Sequence, residues 1–230
     1  MTDARIGRTD NTVPRMFLGF SVLAALSAIG AIACDLGRRR APFYVFKPLT
    51  TLLIAGAFLV RSQPLVAPPP IIAALVLAAL LCSLAGDIAL MFEGELAFTA
   101  GLAAFLTAHL MLIYALLVPL PALRWSLPAL AGIAIAIAAL ALLWPRVGKL
   151  RAAVAVYVTV LTAMWLAAEA RWTILRDSPS LLTLAGASLF MVSDGALACD
   201  RFVRRVRYAQ ALVLATYFPA LWLITCSGAF

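Results

Sequence analysis

The chain has 230 residues, of which 65% are hydrophobic and only 12% charged, with a net charge of +8 and a mean hydropathy of +1.05. Soluble domains carry about 25% charged residues, so an ordinary soluble domain is excluded and a polytopic membrane protein is implied. The basic residues lie at the ends of apolar runs, where they set topology and meet anionic lipid headgroups; nucleic acid is not the partner they indicate.

Eight apolar runs are long enough to cross a hydrocarbon core of about 30 Å. They lie near residues 17 to 36, 43 to 60, 70 to 92, 96 to 118, 126 to 144, 151 to 170, 181 to 199 and 208 to 227. The expected fold is all-α: a polytopic membrane bundle of eight transmembrane helices. The connections are short, so residues 1–230 form a single membrane-embedded domain, and residues 1 to 16 a loose polar terminus with Arg5, Arg8 and Arg15.

Helix 1 runs to Asp35, and Arg38, Arg39 and Arg40 follow at the interface. Helix 2 opens with Phe43 to Thr51, which sets Lys47 about a turn inside the boundary. A lysine there either snorkels to the headgroups or turns inward, where Pro48 frees a backbone carbonyl one turn earlier. Gln63 to Pro70, with four prolines, is a stiff turn. Helix 3 carries Asp87 inside Ser83 to Leu90, and Glu93-Gly94-Glu95 leads into helix 4 with the only histidine, His109. Helix 5, almost purely Ala, Leu and Ile, reads as a structural or lipid-facing span. Helix 6 brings Tyr157, Trp165 and Glu169; helix 7 brings Asp194; Arg201 to Arg207 form a basic loop, and helix 8 carries Tyr217 and Pro219. The cysteines, Cys34, Cys82, Cys199 and Cys226, have neither CxxC nor metal spacing and read as small packing residues.

A carboxylate inside a span costs a few kcal/mol on insertion scales and persists where it is paired, solvated or used. Asp87 and Asp194 both lie near the ends of odd-numbered helices, hence on one side of the membrane, about 7 to 9 Å below its surface at about 1.5 Å per residue. Lys47 enters from the same side at similar depth. Each aspartate is followed by Ala-Leu two and three positions on, and that single offset of 107 (194 − 87) also superposes helix 1 on 5, 2 on 6 and 4 on 8. It implies a four-plus-four duplication about an axis along the membrane normal. The aspartate side carries 11 Lys and Arg against 7 on the other, which directs the aspartates toward the cytoplasm of a bacterial inner membrane.

Two carboxylates close together in a medium of low polarity do not ionise alike, which leaves an acid beside a base. That is what acid-assisted hydrolysis through an oxocarbenium-like state requires, and the cationic rim suits a phosphate headgroup. Two other readings stand beside it. In one, Asp87 and Asp194 are a buried polar pair, neutralised by Lys47, that fixes packing. In the other they carry protons or cations for a coupled transporter of lipids or small molecules. One histidine cannot furnish a zinc site, and His109 lies about 20 Å into helix 4, so no metal or cofactor is assigned.

Lys47-Pro48-Leu49-Thr50-Thr51, Ser83 to Leu90, Gly101 to His109 with Tyr114, Tyr157 to Met164, and Phe190 to Asp194 with Arg201-Phe202 resemble the YhhN family of eight-span membrane proteins. The family includes lysoplasmalogenases, which hydrolyse the vinyl ether of lysoplasmalogens to a fatty aldehyde and a glycerophospho-alcohol. The resemblance implies Asp87 and Asp194 as the catalytic aspartates and a lysophospholipid substrate. Lys47 and His109 match the family's other polar positions and, with Tyr157, Tyr217 and Arg201, are the expected substrate contacts.

Overall fold

In lipid every backbone polar group must find its partner within the chain, and a helix does this segment by segment. The computed structural model, which describes residues 12–61, 69–118, 120 and 126–228, accordingly shows eight α-helices among those residues. They are α1 (Thr12–Leu36), α2 (Arg40–Arg61), α3 (Pro70–Ala89), α4 (Glu95–Leu117), α5 (Leu127–Leu143), α6 (Arg151–Leu175), α7 (Ser178–Ala198) and α8 (Ala209–Cys226). Seven are long and apolar enough to cross a membrane; α5, with 17 residues, is the shorter apolar one, about 25 Å long.

Local signals account for the helix starts. Ser126 caps α5 by accepting from the Ala129 N–H at 3.0 Å, and Asp177 caps α7 by accepting from the Ser180 N–H at 2.8 Å. Two expected ends shift by five residues (17 to 12 and 170 to 175). α1 already begins at Thr12, so residues 12 to 16, expected in the polar terminus, are helical. α6 runs on to Leu175, five residues beyond the expected 170, because Glu169 and Arg171 are buried and hold that last turn in the bundle. Arg5, Arg8, Arg124 and most of the proline turn, residues 63 to 68, lie outside the described residues.

The bundle is built from three tight hairpins, α1–α2, α3–α4 and α7–α8, with α4 on α6, α2 on α8, α2 on α3 and α6 on α7. Between α3 and α4 the approach depends on glycine: a Cβ on Gly86 would meet the Phe105 ring at 2.6 Å, and one on Gly101 would meet Leu90 at 2.7 Å. The neighbour pattern repeats with the 107-residue offset: α3–α4 matches α7–α8, α2–α3 matches α6–α7, and α8–α2 matches α4–α6. The repeat breaks at α5. Its counterpart α1 packs on both α2 and α8, whereas α5 is held chiefly by α6.

The core combines apolar side chains such as Ile54, Leu80, Leu112, Met164 and Ile224 with buried hydroxyls. Thr50 donates to Ser27 at 2.9 Å, and Ser27 to the Phe46 carbonyl at 3.1 Å, tying α1 to α2. Large apolar residues such as Leu23, Leu26, Leu130 and Ile137 face outward, where lipid is their solvent.

Candidate active site

α2 and α3 build the first half of the site. Lys47 lies seven residues into α2, about 10 Å from its start, and is only 3% exposed, so it turns inward. Its Nζ lies 3.6 Å from Asp87 Oδ1 and donates to the Asp87 backbone carbonyl at 3.1 Å. That carbonyl needs a donor. At the end of α3 the Met91 N–H turns back to Ile88, three residues away, and leaves Asp87 O without a helical partner. The other carboxylate oxygen, Oδ2, accepts from Thr51 Oγ1 at 2.6 Å and from the Tyr217 hydroxyl at 2.9 Å. With a cation on one oxygen and two hydroxyls on the other, the pocket around Asp87 is made for a carboxylate.

The second half is unlike the first, although the local sequences are similar. Asp194, half-buried on α7, receives the Tyr157 hydroxyl on Oδ2 at 2.6 Å. Among the described residues it has no ion-pair partner. The 107-residue offset shows why: the counterpart of Lys47 is Val154, so the duplicated half has no cation to offer.

Rings fill the space between the two aspartates' supports. Tyr217 packs edge-on against Phe105 at 5.6 Å and Phe190 at 5.5 Å; His109 packs edge-on against Phe190 at 4.7 Å and Tyr157 at 5.7 Å. α4 is unbroken, and His109 is fully buried within this ring cluster.

Asp87 and Asp194 both wall one cavity of about 500 Å³, together with Lys47, Tyr217, Arg201 and Arg205. Arg201 lies in a π-helical turn, Cys199–Val203, that continues α7, and its guanidinium stands 4.8 Å over the Phe98 ring. Arg205 pairs with Asp200 at 3.3 Å on the exposed rim. Of the expected site residues, Lys47, Asp87, Asp194, Tyr217 and Arg201 thus meet on one wall. Tyr157 stands behind Asp194 on a second, apolar cavity, and His109 is on neither wall. Among the described residues no three His, Cys, Asp or Glu side chains gather into a metal-sized group.

Three contributors escaped the sequence reading. Thr51 sits one turn after Lys47, and that i, i+4 spacing was the available signal. Gln210 is a polar side chain at the start of α8, on the cavity wall. α5, read as structural or lipid-facing, walls the apolar cavity beside Asp194.

An all-helical integral membrane bundle with two unlike carboxylates on one cavity, under an arginine rim, is the class that fold and site define. The YhhN family model matches residues 43–228, and the chain belongs to the YhhN family. It is 33% identical over 187 residues to the uncharacterized membrane protein YhhN of Escherichia coli, covering 80% of this chain and 86% of that one. It is 35% identical over 184 residues to the human lysoplasmalogenase TMEM86B, covering 79% and 73%. A lysoplasmalogenase of Mycobacterium bovis is 36% identical over 138 residues, covering 56% and 50%. No solved structure gives a significant match.

Proposed function

We propose that this protein is an intramembrane hydrolase that cleaves the vinyl ether of lysoplasmalogens, or of a related lysophospholipid, to a fatty aldehyde and a glycerophospho-alcohol. The observation that carries the reading is the unlike pair on one wall: Asp87 held by Lys47, Thr51 and Tyr217, and Asp194 held by Tyr157 without a cation. The relatives named as lysoplasmalogenases support the substrate class.

In this reading Asp194 is the general acid and Asp87 the permanent carboxylate. Asp194 gives its proton to the alkenyl carbon one bond removed from the ether-bearing carbon, and the double-bond electrons form the new C–H bond. The resulting oxocarbenium is stabilised by the Asp87 carboxylate. Water adds to the cationic carbon and returns a proton to Asp194. The hemiacetal then loses its hydroxyl proton as the bond to the glycerol oxygen breaks, and that oxygen leaves protonated. Protons balance with one water consumed. Arg201 and Arg205 hold the phosphate at the mouth.

The test is aldehyde release from lysoplasmalogen by the purified protein in deuterated water. Carbon protonation places one solvent deuterium next to the aldehyde carbon. Asp87→Asn and Asp194→Asn should each lower kcat by about 10²- to 10⁴-fold; wild-type rates in both would sink the acid–base pair. Proton-coupled uptake by liposomes without lysolipid turnover would favour a transporter built on the same aspartates. We further place the protein in a bacterial inner membrane with the aspartate side cytoplasmic, on the count of 11 basic residues against 7. A cysteine introduced at Lys149 should then resist an impermeant maleimide in intact cells, and labelling there overturns the orientation.

A further inference from the structure

The apolar cavity beside Asp194 encloses about 540 Å³ between α4, α5, α6 and α7. α5 turns one stripe toward it, including Ala131, Gly132, Ile135, Ala136 and Ala139, and most of these side chains are too small to reach α4. Gly132 is pressed against the Trp165 ring with no room for a Cβ, and Trp165 is fixed in turn by its hydrogen bond to Ser188 at 2.9 Å. α5 is thereby pinned to α6, and the space it leaves opens toward Phe98, Leu102 and Phe105 of α4.

Two features give this space an occupant. First, it adjoins the polar cavity: Leu90, Phe98, Phe105, Leu197 and Asp194 line both, so Asp194 stands at the junction of an apolar chamber and a polar one that also holds Lys47, Arg201 and Arg205. The apolar cavity between α1, α2 and α8, of about 450 Å³, shares no lining residue with the polar one. Second, the space opens sideways to lipid, since Ile135 of α5 and Val192 and Gly195 of α7 line it and are all exposed. From Tyr157, level with Asp194, it descends to Trp165, eight residues and about 12 Å along α6.

We infer that this groove seats the hydrocarbon chain of a single-chain phospholipid whose phosphate lies by Arg201 and Arg205 in the polar cavity, entering sideways between α5 and α7. The inference rests on the proposed hydrolase reading and adds the address of the chain. The apolar groove that adjoins the polar chamber accepts one chain, and the bond that joins headgroup to chain falls at Asp194. α5, held chiefly by α6, forms one wall of that entrance.

Two measurements test it, and the first needs no catalysis. A protein retaining Trp165 as its single tryptophan is titrated in detergent with lysophosphatidylcholine brominated on the distal half of its chain. Quenching should saturate, and the diacyl brominated lipid at equal mole fraction should fail to reproduce it. Quenching that is linear in mole fraction and equal for both lipids overturns the inference. In the second, Ala136→Phe fills the groove below Asp194. The ratio of kcat/KM for long-chain over short-chain lysoplasmalogen should fall by more than about tenfold, since each methylene seated in an apolar pocket contributes a factor of about ten or more. An unchanged ratio overturns the inference and leaves the hydrolase reading standing. If the wild-type protein releases no aldehyde, the hydrolase reading fails while the quenching still decides the groove.

Discussion

Removing Lys47 alone should cost nearly as much stability as removing Lys47 and Asp87 together. The two side chains are 4% and 2% exposed, with Nζ 3.6 Å from Oδ1. At that separation and an effective dielectric constant of about 20 the attraction is about 4 to 5 kcal/mol. Lys47→Met strands a carboxylate that keeps only the Thr51 and Tyr217 hydroxyls. Asp87→Asn strands an ammonium that keeps only the residue-87 carbonyl. Breaking a buried pair from either side costs about 3 to 5 kcal/mol, because an uncompensated charge remains. In the double variant neither charge is left, and the new amide oxygen still accepts both hydroxyls. The double loss should therefore fall short of the summed single losses by about 3 kcal/mol or more. Reversible unfolding of all four proteins against detergent mole fraction measures the cycle. Losses that add to within about 0.5 kcal/mol would refute the buried pair.

Two further outcomes follow from neighbouring contacts. Tyr157→Phe removes the hydroxyl 2.6 Å from Asp194 Oδ2 and should lower kcat by about ten- to a hundredfold, the range for a hydrogen bond to a charged group, with KM little changed; an unaltered kcat would exclude Tyr157 from positioning the acid. Gly86→Val drives a Cβ into the Phe105 ring, which is wedged against Phe190 and Tyr217, at a cost of about 1 to 3 kcal/mol. Gly19→Ala, with nothing within 4 Å, should be neutral or stabilising by up to about 1 kcal/mol, so equal melting shifts for the two would contradict the close approach of α3 and α4.

The helices were legible because bilayer thickness and backbone hydrogen bonding each constrain them: only long apolar runs cross, and only as helices. Asp87, Asp194 and Lys47 were legible because a charge in such a run is costly enough to be conspicuous. Their shared depth follows from counting residues along odd and even helices, and the cavity has them on one wall.

Tertiary structure alone decided what surrounds each carboxylate. Ser83 to Leu90 and Val192 to Leu197 look alike along the chain, yet Asp87 meets a cation from α2 and hydroxyls from α2 and α8, while Asp194 meets one hydroxyl from α6. Those partners come from helices 36 to 130 positions away, and no local pattern encodes them. The role of α5 was hidden for a different reason. Lipid tails are as apolar as a protein interior, so hydropathy cannot tell an alanine facing the bilayer from one facing a groove. Composition could say that α5 lies in the membrane; only the packing of Gly132 on Trp165 and the gap left toward α4 put one face of it beside Asp194.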